Sequence, residues 1–437
     1  MSNPIQVYDD TRSLHAIGDY IMSYQPYQNA FVNALVNRIA MTIVTSRMWQ
    51  NPWSVFKQGY MEFGETVEEV FVNIAKPHSY DPQTAESEIF KREIPDIRSA
   101  FHTMNFQKFY KATVQNDMLR LAFLSWSGIT DLIAKIVDSL YTGMNYDEFV
   151  VMKYMLAREI LSGLMEPIVV AAANSEANLK ANAAALRGAS TELTFLKTTY
   201  NRAGVYNATE RNKQYLIVDA TFEANMDVDV MAAAFHMEKA EFLGHLIVID
   251  SWTSHDTARL AELFANDSTY AAFTGDEITL LGLINGLIVD KDWWMVFDNF
   301  QNMTENYNGE GLYWNYWLHV WKTFSCSPFA NAIVFVTSAG TPSSITVSPA
   351  TATILPGTSA QFSASVSGSG IFDSSVTWSV AQTSGETKPK AGTTIDPYSG
   401  VLKVASDETL ESLTVTAKSV AKGTVTGTAT VATVAGD

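Results

Sequence analysis

The sequence predicts an α+β fold followed by an all-β sandwich, and three observations predict it. Two helical stripes between Trp126 and Leu164 are followed, up to Val336, by strands that alternate with helices. Residues 55–114, ahead of them, read as extended chain that is rich in charge and poor in apolar side chains. From Thr337 the composition turns abruptly to Ser, Thr, Val and Gly, in short alternating runs.

At 437 residues the chain suits two or three domains. An apolar fraction of 47%, with ten Trp, is ample for packed cores. The net charge is −17 and no basic cluster is longer than Lys91-Arg92. That excludes a nucleic-acid-binding surface, which needs clustered Lys and Arg to displace counterions, and an anionic membrane surface. The one cysteine, Cys326, excludes an intrachain disulfide and reads as a small buried hydrophobe rather than a nucleophile. The start, Met-Ser-Asn-Pro-Ile-Gln, lacks the regions of a signal peptide, and no run approaches the roughly 18 apolar residues of a membrane span. A soluble protein folded in a cytoplasm is expected.

In chain order, Phe31, Leu35, Ile39 and Ile43 mark a helical stripe that Asn51-Pro52 breaks. Residues Val55 to Val114 hold strand-forming segments, among them Thr66-Val-Glu-Glu-Val-Phe-Val and a returning strand over Asp96 to Thr103, with a turn at Asp81-Pro82. Too few apolar residues stand here for an independent domain, so a long projecting hairpin is expected, with Lys57, Glu65, Glu68, Glu69, Lys91, Arg92 and Glu93 on its surface. Long loops in compact proteins are uncommon without a function. Charges of both signs make those seven residues candidate contacts with another copy of the chain.

Ile129, Leu132, Ile133, Ile136, Val137, Leu140 and Tyr141 form one apolar helical stripe, read as core and ended by Gly143. Asn145 then reads as the N-cap of a second helix, with Glu148 as its capping-box partner, running to Gly163. A helix over Ala171 to Arg187, strands at Tyr215-Leu-Ile-Val-Asp and His245-Leu-Ile-Val-Ile-Asp, and a helix Val228 to Phe235 capped by Asp227 follow. Further strands are expected at Leu287-Ile-Val-Asp, Trp293-Trp-Met-Val-Phe-Asp, Tyr313 to Trp321 (central, covered on both faces) and Ala332-Ile-Val-Phe-Val. Thr337 to Ser344 reads as a linker, and Ile345 to Asp437 as a sandwich around Trp378, separable and with few crossing contacts.

Catalytic motifs are missing. There is no His-Glu-x-x-His, no Walker loop, no Gly-x-Ser-x-Gly and no Gly-x-Gly-x-x-Gly. His236, His245 and His255 fit no zinc spacing. Asp227 and Asp229 read as a helix cap and first-turn carboxylate rather than a metal site. The aromatic cluster Tyr313 to Trp321 reads as strand packing rather than a sugar platform. No enzyme, metal or cofactor is expected.

Several stretches carry a resemblance. Phe63-Gly-Glu-Thr-Val-Glu-Glu-Val, Phe90-Lys-Arg-Glu-Ile-Pro, Asp219-Ala-Thr-Phe-Glu-Ala-Asn-Met-Asp-Val-Asp-Val, Val289-Asp-Lys-Asp-Trp and Gly311-Leu-Tyr-Trp-Asn-Tyr closely resemble major capsid proteins of small short-tailed phages of the phi-twenty-nine type. Val376-Thr-Trp-Ser, Ile395-Asp-Pro-Tyr-Ser-Gly and Leu413-Thr-Val-Thr-Ala resemble a bacterial immunoglobulin-like group 2 domain. The resemblance implies the Hong Kong 97 coat fold: an N-terminal arm over 1–54, an extended loop over 55–114, a peripheral domain from 115–166 and 312–337, and an axial domain over 167–311. A linker over 338–344 and the immunoglobulin-like domain over 345–437 complete it. Residues Thr253 to Gly286, with a helix Asp256 to Ala265, are longer than that family leads one to expect.

The resemblance also implies a function, that of a major capsid protein assembling as pentamers and hexamers into an icosahedral shell around double-stranded DNA. Its implied partners are other copies of the chain, a separate scaffolding protein (no long helical stretch precedes the arm), and a portal protein at one vertex. Packaged DNA would be held by containment only, which suits an acidic wall. The immunoglobulin-like domain would stand outside, toward the host surface or head fibres. The competing reading of such a module, a bacterial surface adhesin, expects a signal peptide and more than one copy.

Overall fold

The structure is a computed structural model and describes residues 49–61, 66–75, 77, 95–115, 126–225, 245–383 and 388–433. In chain order, β1 (Lys57–Tyr60), β2 (Thr66–Val72), β3 (Ile97–Thr103) and β4 (Phe106–Gln115) precede one long helix, α1 (Trp126–Leu161). Then come β5 (Glu166–Val169), α2 (Glu176–Leu193), β6 (Gln214–Asp219), α3 (Ala220–Asn225), β7 (Leu246–Ile249), α4 (Thr257–Leu263) and α5 (Gly275–Leu281). Strands β8 (Ile284–Asp290), β9 (Trp294–Asn308), β10 (Tyr313–Cys326) and β11 (Ala332–Val336) close this part. The expected stripe over Phe31 to Ile43, the turn at Asp81-Pro82, the helix Val228 to Phe235 with Asp227 and Asp229, and His236 lie outside the described residues.

The chain divides into two compact units, and the division falls within β4, α1, β9 and β10. The smaller unit is Met1–Trp49, Phe109–Met144 and Asn302–Leu318. In it Thr113 Oγ1 donates to Asn315 Oδ1 at 2.6 Å, and the Lys111 ammonium lies 5.7 Å from the centre of the Trp317 ring. Of the apolar stripe, Leu140 is buried while Ile136 and Val137 are half-buried.

The expected break at Gly143 does not occur. Helix α1 runs unbroken for 36 residues, about 54 Å at 1.5 Å per residue. Asn145 lies inside it rather than capping it, and Glu148 is buried instead of closing a capping box. Glycine inside a helix costs only about 1 kcal/mol relative to alanine, which packing can override. A Cβ at Gly143 would stand 3.5 Å from the Tyr110 ring, so the small residue admits a close neighbour.

The larger unit is Gln50–Lys108, Asn145–Gln301 and His319–Asp437. Its centre is a five-stranded sheet in the order β5-β11-β8-β6-β7. Strand β11 runs parallel to β5 and antiparallel to β8; β6 runs antiparallel to β8 and parallel to β7. Alternate residues face opposite layers. Tyr215, Ile217, Leu287, Val289 and Val334 pack with Met152, Leu156 and Ile160 of α1. Leu216, Val218, Ile288, Ile333 and Phe335 pack with Leu186, Ala189 and Leu193 of α2. Burial on both faces explains why these strands read as unbroken apolar runs. Strand β11, expected in the peripheral domain, is thus an inner strand of the same sheet as β6 and β8.

A second sheet has the order β1-β9-β10-β4. Strand β10 is interior as expected, but its two faces differ: Val320, Lys322 and Phe324 are buried whereas Trp321 is 38% exposed. At Asn51-Pro52 a short turn of 3-10 helix runs from Pro52 to Phe56, capped by Asn51 Oδ1 accepting from Trp53 N–H at 2.8 Å. It delivers Trp53 and Phe56, both fully buried, against Trp294 at ring-centre distances of 5.1 and 4.4 Å.

The long segment after β7 is fastened to α1. Asp256 caps α4 and Thr274 with Glu277 forms the capping box of α5. Arg259 donates to both oxygens of Asp147 at 2.7 and 2.9 Å, and Arg158 donates to Glu277 at 2.6 Å. Tyr154 packs among Phe264, Tyr270 and Phe273.

Residues from Thr341 onward build an all-β part with three small sheets and a core of its own. Its strands are β12 (Thr341–Ser348), β13 (Thr351–Ile354), β14 (Ser359–Gln361), β15 (Ser363–Ser369), β16 (Val376–Gln382), β17 (Thr394–Ile395), β18 (Val401–Lys403), β19 (Ser412–Ser419) and β20 (Thr426–Thr433). The largest sheet has the order β13-β20-β19-β16, and Phe362, Trp378, Leu402, Leu413, Val415 and Val431 fill the core. Trp378 is the core residue expected. The linker is shorter than expected, because β12 already begins at Thr341. Crossing contacts are also more numerous than expected: Ile371 of the sandwich is 1% exposed and packs in the cluster of α1 and the central sheet.

Candidate subunit interface

The extended segment starts from a buried ionic cluster. Glu148 on α1 is 2% exposed, accepts from Asn51 Nδ2 at 2.7 Å, and pairs with Lys57 at 3.1 Å and with Lys322. Asp298 on β9 pairs with the same two lysines, at 2.6 and 2.9 Å. Two cations and two carboxylates therefore balance. Burial alone lowers the pKa of the Lys57 ammonium, but Glu148 and Asp298 outweigh it and hold the value above normal. Burial likewise raises Asp298, and Lys322 with Lys57 more than reverses it. The cluster ties β1, β9, β10 and α1 together at one point.

From there the chain enters the hairpin of β2 and β3, an antiparallel pair in which Glu69 faces Ala100 and Val72 faces Ile97. Period-two alternation separates two faces. One face is seated on the unit: His102, 2% exposed, holds Ser325 Oγ at 2.7 Å through Nδ1 and Glu69 at 3.1 Å through Nε2. Glu69 also accepts from Ser327 Oγ at 2.8 Å, Phe71 stacks on Phe329 at 5.4 Å, and Arg98 donates to the Ala203 carbonyl at 2.7 Å. The opposite face is open, and its apolar side chains alternate with Thr66, Glu68, Ser99 and Thr103. Val70, Val72, Ile97 and Phe101 stand there at 54, 61, 55 and 64% exposure. A ribbon seated on one side, with four large apolar side chains exposed on the other, has the form of a contact surface.

Comparison with known proteins gives the family. Residues 5–336 match the family model described as Phi29-like phage major capsid protein. The chain belongs to that family. It is 37% identical over 403 residues to the major capsid protein of Bacillus phage B103, covering 90% of this chain and 81% of that one. It is 34% identical over 346 residues to the major capsid protein of Bacillus phage GA-1, covering 78% of this chain and 68% of that one. Among solved structures it resembles the capsid of Staphylococcus phage Andhra with a TM-score of 0.55 at 16% identity, covering 69% of this chain and 87% of that one. At that identity the likeness speaks for the fold, a mixed α+β phage capsid fold. This capsid protein is a structural component of the virion.

Within the capsid protein, the residues singled out from sequence fall into three groups. Glu65, Lys91, Arg92 and Glu93 lie outside the described residues. Glu68 is exposed on the open face beside Phe101, while Glu69 is turned inward to His102 and Ser327. Lys57 is misplaced by the sequence reading. It is not on the hairpin surface but on β1, its ammonium occupied by Glu148 and Asp298. The four apolar residues of the open face are not among the residues that the charge pattern singles out. Their signal was present in Thr66 to Val72, where alternation puts Val70 and Val72 on the same side as Glu68.

The polar groups that invited a catalytic reading are engaged structurally. His255 Nε2 lies 3.0 Å from the Trp252 carbonyl, and burial with the nearby Lys153 charge depresses its pKa to about 4. His245 Nδ1 lies 3.1 Å from the Gln214 carbonyl. Burial holds the Cys326 thiol well above its usual value, with Glu159 adding to the effect, so it stays protonated. Among the described residues no group of three or more His, Cys, Asp or Glu is placed to hold a metal ion.

Proposed function

We propose that the capsid protein assembles on the Hong Kong 97 plan, as pentamers and hexamers closing an icosahedral shell around double-stranded DNA, and that the open face of the β2–β3 hairpin docks on a neighbouring copy. The observation that carries the docking is the row Val70, Val72, Ile97 and Phe101, each more than half exposed on a ribbon whose other face is already seated. Covering an apolar side chain fully is worth about 1.5–3 kcal/mol, and here roughly half of that per residue remains to be gained. The gain is repeated at every subunit of a shell. Charge plays the smaller part, since exposed ion pairs contribute only about 0–1 kcal/mol.

A net charge of −17 supports DNA held by containment rather than by binding. A separate scaffolding protein, a portal at one vertex, and an immunoglobulin-like group 2 sandwich displayed outward, toward the host surface or head fibres, complete the reading. The sandwich part is supported by its three small sheets around Trp378. Substituting Phe101→Asp tests the docking. The expected result, on co-expression with the scaffolding protein, is loss of rapidly sedimenting shells while the subunit melts within about 1 °C of the parent, as surface substitutions do. Normal shell yield would show that the open face meets no neighbour.

A further inference from the structure

We propose that the loop Gly370–Ser375 is a plug that seats the sandwich in the body of the subunit, and that a proton shared between Glu166 and Asp373 holds the seat, so that the sandwich is fixed in acid and released as the medium becomes alkaline. Three geometric observations establish the plug. Ile371 packs in the core with Ile160, Leu287 and Val336, and its carbonyl accepts from Gly340 N–H at 2.6 Å. Ser374 donates twice to the Gly163 carbonyl at the end of α1, through N–H at 2.8 Å and Oγ at 2.7 Å. Gly163 has φ +70°, and a Cβ there would overlap the Phe372 carbonyl oxygen, so the two backbones touch.

Asp373, at the middle of the plug, is 6% exposed and accepts from Ser375 N–H at 2.8 Å. Glu166, the first residue of β5, stands three positions past the Gly163 that Ser374 meets, and within reach of the charge of Asp373 and of a hydrogen bond to it. The other titratable groups here are the Tyr200 hydroxyl, which is engaged with Glu192, and Arg202, which lies 3.9 Å from Glu159. Among the described residues no lysine or arginine forms an ion pair with Glu166 or Asp373.

A half-buried and a buried carboxylate side by side do not both ionise cheaply. Burial, then the charge of Asp373 and the hydrogen bond to it, push Glu166 up to about 7. With its proton, Glu166 donates to Asp373 and the contact is attractive; without it, two negative charges face each other. When the plug leaves its seat, Glu166 returns toward its ordinary value of 4.5. The seated state therefore binds the proton more tightly. Its stabilisation is complete below the ordinary carboxylate range and is lost as pH rises through about 7.

Hydrogen exchange on the full chain reads this directly at the Ser374 amide, which opens only when the plug leaves Gly163. After correction for intrinsic rates, its protection is expected to fall about 25-fold between about pH 5.5 and pH 8. The Val415 amide, inside the sandwich, serves as the unchanging control. Glu166→Gln keeps a donor toward Asp373 and no charge, so E166Q should hold its protection flat over the same range. A flat profile in the parent, or an equal slope in E166Q, would overturn the proposal; the parent profile decides by itself where E166Q does not fold.

Discussion

Replacing Lys322 with methionine is the sharpest test of the cluster on which the extended segment is founded. The Lys322 side chain is 3% exposed, and its ammonium pairs with Glu148 and lies 2.9 Å from Asp298. Methionine fills similar space without charge, so packing is nearly conserved. What changes is the balance: Glu148 and Asp298 are left with Lys57 alone. Removing one partner from a buried ion pair costs about 3–5 kcal/mol, because the remaining charge stays desolvated. At about 2 °C per kcal/mol for a large domain, K322M should melt about 6–10 °C below the parent in calorimetry of the unassembled subunit.

A second variant separates charge from packing. Adding Glu148→Leu removes the opposite charge and leaves Lys57 paired with Asp298 at 2.6 Å. The double variant should therefore recover a large part of the loss, giving a coupling free energy well above 1 kcal/mol in the double-mutant cycle. A drop of under about 2 °C for K322M, or a double variant as unstable as the sum of the single ones, would refute the reasoning. The first outcome would mean that water reaches the cluster, the second that Glu148 acts through packing alone.

Two further outcomes follow from the same structure. Gly163→Ala places a Cβ on a left-handed residue against the Phe372 carbonyl, and should cost about 2 kcal/mol or more, read as a lowered melting midpoint. His255 is held near 4 against an ordinary 6.5, so the unfolded chain takes up its proton first, and the folded state loses stability as pH falls from about 6.5 toward 4. His255→Phe, packed against Phe273 and unable to titrate, should melt with a shallower dependence on pH in that window; an unchanged slope would place the acid sensitivity elsewhere.

Much of the fold was legible because it is written locally. Alternation placed β2 over Thr66 to Val72, apolar runs placed β6, β8 and β11, and the shift at Thr337 marked the sandwich with Trp378 inside it. The charge balance and the missing catalytic spacings were likewise readable, as were the stretches that resemble phage capsid proteins. Each of these signals sits within a window of a few residues or in the whole composition.

What only the tertiary structure decided depends on residues far apart in the chain. A Gly-x-Asn stretch reads as a helix end until Tyr110 is seen against Gly143, where packing carries α1 through. Lys57 reads as a solvated surface charge because its partners, Glu148 and Asp298, stand on other elements. Glu148 itself meets Asn51 and Lys322 across 97 and 174 positions, distances over which no propensity or periodicity carries information. The hairpin shows its two faces in sequence but not which one is seated, since that is fixed by Ser325, Ser327 and Phe329. The sandwich reads as separable for the same reason. Its own core is complete in its sequence, while the burial of Ile371 and the pairing of Asp373 with Glu166 exist only once β5, α1 and the central sheet have come together.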